Sequence, residues 1–476
     1  LLFNSAEFLL GFLPIVLIVY YLLPHRGQNT FLVIASCVFY ASWDWRFLAP
    51  LLFTTSLDYW VARRIEAEVE AGKPRASRKK YLIVSVVANM SLLGFFKYFN
   101  FFSESAVQFA QAFGLDIGIR TFEIVLPLAI SFYTFQALSY TIDVYRGELH
   151  ATKSFWDFFL AVLYFPHLVA GPIQRAANLL PQVTNPRRIT RSQVFEGLHL
   201  IAWGFFKKVF IADNLSPIVD AAFADPSPSG GVTVLAVYAF AFQIYCDFSG
   251  YTDIARGLAK IMGFEFVLNF RLPYFATNPS DFWRRWHISL STWLRDYLYK
   301  ALGGNRGGAL LTHRNLLITM LLGGLWHGAA WNFVLWGLYH GVLLVGHRLL
   351  EPALNRVGRV FAAVPSLWWT ARVAVMFLLT CYGWLLFRAT SLDQVVTMTA
   401  SLASPLTGLD WDAMSRVTWI IAPLLLVQII QARSGELFFM KLAIISPSVR
   451  VVGYSLMCYL VLFLGGQPQS FVYFQF

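Results

Sequence analysis

The stretch LITMLLGGLWHGAAWNFVLWGLYHG, Leu317 to Gly341, holds no Asp, Glu, Lys or Arg, and it sets His327 in the middle of its apolar run. About 20 apolar residues in a helix cross roughly 30 Å of hydrocarbon, so a stretch of this kind suits a bilayer better than a soluble core. The rest of the chain repeats the pattern. Of its 476 residues 57% are hydrophobic and 13% charged, and the mean hydropathy is +0.57, more apolar surface than a soluble domain can hide. Helices satisfy their own backbone polar groups within lipid, so the sequence reads as an all-α integral membrane protein.

Apolar segments fall near 6–23, 31–62, 81–102, 124–145, 155–173, 197–223, 232–262, 315–350, 367–388, 417–431 and 449–466. The 31–62 and 315–350 segments each read as two, the first divided around Trp43-Asp44-Trp45-Arg46. About eleven membrane spans are expected, with re-entrant and interfacial helices beside them. The whole chain, 1–476, reads as one polytopic membrane domain, its motifs at 165–341 followed by C-terminal helices at 367–466. The run Phe8 to Leu23 lacks a basic leader and a small-residue cleavage site, so it reads as a retained helix.

A net charge of +11 raises the question of nucleic acid, but the basic residues sit in short loops between apolar runs, as membrane topology requires. No nucleic-acid partner is expected; lipid is. The loop Arg63 to Lys80 carries seven basic and three acidic residues and belongs in the cytoplasm. Ser103 to Glu123 belongs outside, as does the loop marked by Asp220 and Asp225. The polar stretch 263–314, with Arg271, Arg284, Arg285, Arg295, Lys300, Arg306 and Arg314, belongs on the cytoplasmic side. In FPHLVAGPI, 165–173, Pro166, Gly171 and Pro172 break any straight helix, which suits a re-entrant segment. Cys37, Cys246, Cys381 and Cys458 are far apart in apolar stretches without metal-ligand spacing, and read as buried thiols with no disulfide and no metal.

A histidine in a bilayer is costly unless it has a partner or a task. His327 reads either as hydrogen-bonded to a neighbouring helix or as a general base, a role suited to an imidazole kept neutral by burial. Gly323, Gly324 and Gly328 around it let a backbone or a substrate come close. On one continuous helix His340, thirteen residues on, would lie about 220° away, and so reads as structural. In WRRWHISLSTWLRDYLYKALGGNRGG, 283–308, the residues Trp283, Trp286, His287, Leu290, Trp293, Leu294 and Tyr297 recur at three and four, with Arg285, Ser289, Thr292 and Asp296 opposite. That pattern predicts an amphipathic interfacial helix. Such a helix could simply anchor the protein, or its arginines could meet an anionic cytosolic donor while His287 lines a reaction chamber. In QIYCDFSGYTDIARG, 243–257, Asp247 and Asp253 stand at a membrane boundary, and Asp253 and Arg256 are spaced to pair. Cys246 reads as inert.

These segments carry a resemblance. FPHLVAGPI at 165–173, YCDFSGYTDIARGL at 245–258, FWRRWHISLSTWLRDYLYKALGGNRGG at 282–308, LLGGLWHGAAWNFVLWGLYHG at 321–341 and the tail FVYFQF at 471–476 resemble the membrane-bound O-acyltransferase family, in particular its bacterial polysaccharide-acetylating branch. The resemblance implies a bowl of tilted helices around a tunnel in the bacterial inner membrane, and it matches His327 to the family's catalytic histidine and His287 to the second histidine of the bacterial branch. It implies acetyl transfer from a cytosolic thioester, acetyl-CoA above all, with no bound cofactor, to a hydroxyl of an exopolysaccharide such as alginate or cellulose, directly or through a periplasmic acetyltransferase partner. Trp326, Gly328, Asn332, Trp286, Arg285, Asp247, Ser249 and Asp253 are the candidate tunnel and substrate residues. The rival classes are a transporter and a scaffold for such a partner; the chain shows no internal repeat of the kind many transporters carry.

Overall fold

In the computed structural model, residues 2–472 are described apart from 119–120, 170 and 439–445. Ala170 of the FPHLVAGPI motif and residues 473–476 of the aromatic tail lie outside the described residues. Every regular element among the described residues is helical, and none is a strand. Their main helices are α1 (His25–Asp44), α2 (Leu48–Glu70), α3 (Arg75–Leu93), α4 (Ile130–Arg146), α5 (Gly230–Ile261), α6 (Pro279–Arg285), α7 (Ile288–Trp293), α8 (Ala309–His327), α9 (Trp331–Val360), α10 (Pro365–Arg388), α11 (Trp411–Ser434) and α12 (Pro447–Phe463).

Six helical stretches among the described residues are long and apolar enough to cross a membrane: His25–Glu70, Arg75–Ala112, Gly230–Ile261, Trp331–Val360, Pro365–Arg388 and Trp411–Ser434. Fewer stretches qualify than the apolar runs suggest, because local chemistry breaks several of them. The 155–173 run ends its first helix at Leu163, with Pro166 in the short turn that follows. The 124–145 run becomes helical only at Ile130, beyond Pro127. The division expected in 31–62 is present: α1 ends at Asp44, whose carboxylate accepts the Arg46 N–H at 3.0 Å and starts a short 3-10 turn.

Apolar side chains face outward on these helices: Leu310 is 81% exposed, Val360 79% and Trp419 76%. Water would penalise such a surface and lipid does not. Polar groups turn inward instead. The chain clusters into two compact units, Leu1–Ile201 with Ala255–Val267, and Ala202–Ile254 with Leu268–Phe476. In the first, the fully buried Asp58 of α2 accepts from Asn89 of α3 at 2.9 Å, from Thr141 of α4 at 3.1 Å and from Ser85 of α3. Three helices are thus joined around one carboxyl group, the usual use of polar side chains between apolar helices.

In the second unit α8 and α9 form an antiparallel hairpin whose backbones nearly touch. A Cβ on Gly324 would stand 2.2 Å from the Phe333 carbonyl oxygen, and one on Gly337 would stand 2.4 Å from that of Met320. Cys246 and Cys381 are buried, but Cys37 is half-buried and Cys458 is exposed. The expectation of four buried thiols is corrected there: in a bilayer an apolar sequence marks a lipid-facing position as readily as a core one.

The Gly337 contact predicts that Gly337→Ala, which must push α8 away, lowers the unfolding free energy by about 1–3 kcal/mol. Gly346 lies on the same helix and has open space around it, with nothing within 4 Å of where a Cβ would stand. It should accept alanine without loss, and thermal unfolding of both variants in detergent checks the contrast.

Candidate functional site

His327 is the last residue of α8, and Gly328 leaves the helix in an extended conformation, φ −157° and ψ 152°. Only a glycine fits there, since a Cβ would fall 2.1 Å from the Phe333 ring. The apolar stretch 317–341 is therefore two helices, and the angular argument that separated His327 from His340 does not hold. Both imidazoles contact one indole: Trp336 lies 5.0 Å from His327 and 4.7 Å from His340, centroid to centroid. Trp326 at 5.0 Å and Phe387 at 5.3 Å close in on His327 from other sides, and the histidine is 6% exposed.

His287 approaches the same place from a second break. The expected interfacial helix is not continuous: α6 stops at Arg285, Trp286 is extended, and His287 is left-handed at φ 42° and ψ 53° before α7 starts. A left-handed residue other than glycine costs on the order of 1–3 kcal/mol and persists only where its surroundings fix it. Asn269 does so. Its backbone carbonyl accepts from Ile288 N–H at 2.9 Å, and its Oδ1 lies 3.1 Å from Ser289 N, 2.9 Å from Ser289 Oγ and 3.2 Å from His287 Nδ1. The break also overturns the expected polar face, for Ser289 and Asp296 are buried.

The Ser289 N–H can only donate, so the Asn269 atom facing it is the carbonyl oxygen, and His287 Nδ1 must then carry the proton it shares with that oxygen. The lone pair of His287 is left on Nε2, which has no hydrogen-bond partner among the described residues. Burial holds the pKa of His287 well below its ordinary value, so this neutral tautomer persists at physiological pH. The ring stands 6.4 Å from that of His327, with Trp326 at 6.0 Å and Phe248 of α5 at 4.7 Å.

The remaining candidates divide. Trp326 and Gly328 belong to this cluster. Trp286 is a core residue, packed on Trp384 at 4.7 Å and Phe270 at 5.0 Å. Asn332 donates to the Ala389 carbonyl at 2.8 Å and ties the start of α9 to the end of α10. Asp247, Ser249 and Asp253 are taken up by two buried lysines of the π-helical segment Phe206–Ala212. Lys208 pairs with Asp247 at 2.6 Å and Asp213 at 2.8 Å, and Lys207 pairs with Asp253 at 2.6 Å and Ser249 at 3.0 Å. The tail is held at the same point, since Asp247 accepts from Val472 N–H at 2.6 Å and Lys208 donates to the Gln469 carbonyl at 3.0 Å. Sequence reasoning passed over these lysines and Asn269, although a polar residue inside an apolar run was the signal that singled out His327. Lys207-Lys208 and Asn269 are further cases of it.

Two cavities are lined by residues of the helices that carry the cluster, or by residues next to it in sequence. One, about 580 Å³, is lined by Asn278, Trp283, Arg284, Arg295 and Arg348 among others, and by Leu316 and Met320 of α8. The helical stripe Leu316, Met320, Gly323, His327 leads from its wall to the imidazole. Another, about 570 Å³, is lined by Asp220, Asp225, Arg388, Thr390, Asp393 and Gln394, with Arg388 and Asp220 paired at 2.7 Å. Arg388 follows Phe387, the ring against His327. Arg285 lines neither cavity: it pairs with Asp281 at 2.8 Å in a separate cleft with Arg271, Gln431 and Arg284, the last of which also lines the 580 Å³ cavity.

Known acyltransferases are similar to this chain along most of its length. The probable alginate O-acetylase AlgI of Azotobacter vinelandii is 45% identical over 435 residues, 91% of this chain and 84% of the relative. The peptidoglycan O-acetyltransferase of Helicobacter pylori is 35% identical over 428 residues, 83% of this chain and 78% of its own length. The teichoic acid D-alanyltransferase of Bacillus subtilis is 29% identical over 275 residues, 55% of this chain and 68% of its own length. The sequence pattern of the membrane-bound O-acyltransferase family matches residues 151–386, a span that contains both breaks and both histidines, and the chain belongs to that family.

Proposed function

We propose that this protein moves an acetyl group from a cytosolic thioester, acetyl-CoA, to a hydroxyl outside the bacterial inner membrane, and that the hydroxyl belongs to an exopolysaccharide or to a periplasmic protein that passes the acetyl group on. The observation that carries the reading is the position of His327, buried at a glycine break two helical turns beyond Met320 of one cavity's wall and against Phe387, whose neighbour Arg388 lines another cavity.

The cavity with Arg284, Arg295 and Arg348 suits the donor, whose phosphates guanidinium groups bind well. These arginines lie in or beside segments whose charge assigns them to the cytoplasm. The other cavity offers carboxylates, an amide and two threonines, groups that hydrogen-bond hydroxyls. Asp225 and Asp393 in its wall disfavour a bare polyanion such as alginate, so a neutral sugar or a hydroxyl on a partner protein fits better.

At the helix break, neutral His327 takes the proton of the acceptor hydroxyl as its oxygen attacks the thioester carbonyl. The carbon–sulfur bond then breaks, and the thiolate leaves with the proton from His327. His287 presents the Nε2 lone pair toward the same space and holds the hydroxyl proton or the transient imidazolium in line. The two ring centroids stand 6.4 Å apart, a separation that one hydroxyl hydrogen-bonded to both imidazoles would span.

His327→Ala is expected to lower acetyl transfer by at least about 100-fold, with the protein still inserted and monodisperse; normal release of free thiol from labelled acetyl-CoA by that variant would remove the assignment. Arg284→Gln with Arg348→Gln should raise KM for acetyl-CoA about three- to tenfold with kcat little changed, and the defect should shrink at high salt. Asn269→Leu, which releases the His287 tautomer, should lower kcat about tenfold or more with KM nearly unchanged, read by steady-state kinetics.

A further inference from the structure

Beyond the end of α12 at Phe463 the chain runs without regular structure through residues 464–471. Irregular backbone inside a protein needs partners for its polar groups, and here the π-helical segment, the helix after it and α5 supply them. Asn214 donates to the Leu464 carbonyl at 2.8 Å, and Gly466 N–H donates to the Val209 carbonyl at 3.0 Å. Lys208 donates to the Gln469 carbonyl at 3.0 Å, and Val472 N–H donates to Asp247 at 2.6 Å. The approach is close: a Cβ on Gly466 would stand 2.5 Å from the carbonyl carbon of Asp213 and 2.6 Å from Asn214 N.

These bonds seat Phe471, which is 0% exposed. Its ring lies 4.7 Å from Tyr251 and 5.7 Å from Phe248, both on α5. Phe248 follows Asp247 in the chain and is itself 0% exposed. It stands 4.7 Å from His287, nearer than Trp326 at 6.0 Å, and 5.0 Å from Phe270. Phe270 follows Asn269, which holds the turn at His287. One ring therefore touches the aromatic tail, the second histidine and the neighbour of the residue that orients it. A single hydrogen bond at Nδ1 fixes the tautomer of His287 but leaves the ring able to pivot about it. The direction of the Nε2 lone pair is then set by the rings packed on the imidazole, since a close-packed interior leaves no slack.

We propose that the aromatic tail is a positioning element of the reaction: Phe471, seated by Lys208 and Asp247, holds Phe248 against His287 and so aims its Nε2 lone pair. The assignment rests on the acyl-transfer reading above. Phe471 and Phe248 are positioning residues that act through His287 and exchange no proton. Removing the Phe471 ring gives Phe248 room to shift, and His287 then pivots; a reacting group misplaced by about 1 Å can cost up to about 100-fold in rate. A tail that only closed the fold would change stability and leave turnover by the folded protein as it was.

The test follows release of free thiol from labelled acetyl-CoA by the purified full-length protein. Phe471→Ala is expected to lower kcat about five- to tenfold, with KM changed by less than about twofold. Phe471→Leu, which refills most of the space, should recover most of that loss. Gly466→Ala, which pushes the segment off Asp213 with the Phe471 ring intact, should lower kcat in the same way, and either variant suffices where the other does not fold. The deciding comparison is made in Asn269→Leu, where His287 is already released: adding Phe471→Ala or Gly466→Ala there should cost less than about twofold more. Losses that multiply in the double variant, a defect confined to KM, or an unchanged kcat in both single variants would overturn the proposal. So would failure of both to yield monodisperse protein, which would make the tail a folding element. Absence of thiol release by wild type would instead defeat the acyl-transfer reading itself.

Discussion

The near contact of two helix backbones at Gly324 and Gly337 governs the geometry of everything around His327. With no Cβ on either side, α8 and α9 close until carbonyl oxygens occupy the space that side chains would take. That closeness forces the turn between them to be short. The chain leaves α8 at His327, passes through extended Gly328 and re-enters helix at Trp331. The imidazole therefore sits at a helix end, where the backbone no longer screens it, and the Trp336 and Phe387 rings hold its orientation.

A second interruption meets the first. Buried non-helical backbone is expensive unless protein supplies its hydrogen bonds, and at His287 one residue supplies two of them, Asn269 accepting from Ile288 N–H through its backbone carbonyl and from Ser289 N–H through Oδ1. Asn269 binds the backbone of Ser289 and the ring of His287 through a single oxygen, so the fold of the break and the tautomer of the histidine have one cause. Structural support and chemical preparation are not separable here. A residue that relaxed the turn would also release the proton that fixes where the lone pair points.

The charged residues follow a different logic. Lys207 and Lys208, adjacent in sequence, point their ammonium groups at separate sets of acids on α5 and beside it. An ion pair so deeply buried gains little net stability, but losing one partner strands the other at high cost. The pairs thus act as registers that fix the π-helical segment against α5 and, through Asp247 and Lys208, fix the described part of the aromatic tail. Arg284 and Arg348 instead line the 580 Å³ cavity.

Hydropathy alone dictated a helical membrane protein, because a chain of this composition has no other stable way to bury its surface, and glycine-flanked His327 stood out because an imidazole in an apolar run demands an explanation. The motifs at 282–308 and 321–341 likewise carried the family. Periodicity failed where the backbone breaks: a three-four pattern predicts one helix through His287 and another from His327 to His340, and it carries no information about a left-handed residue or an extended glycine. Pairing was equally out of reach, since Lys208 meets Asp247, and Asn269 meets His287, across distances in sequence that no local pattern encodes. The order of residues determined which side chains could do chemistry in lipid, and tertiary packing decided which of them face one another, because only the closed backbone sets the distance between side chains from separate helices.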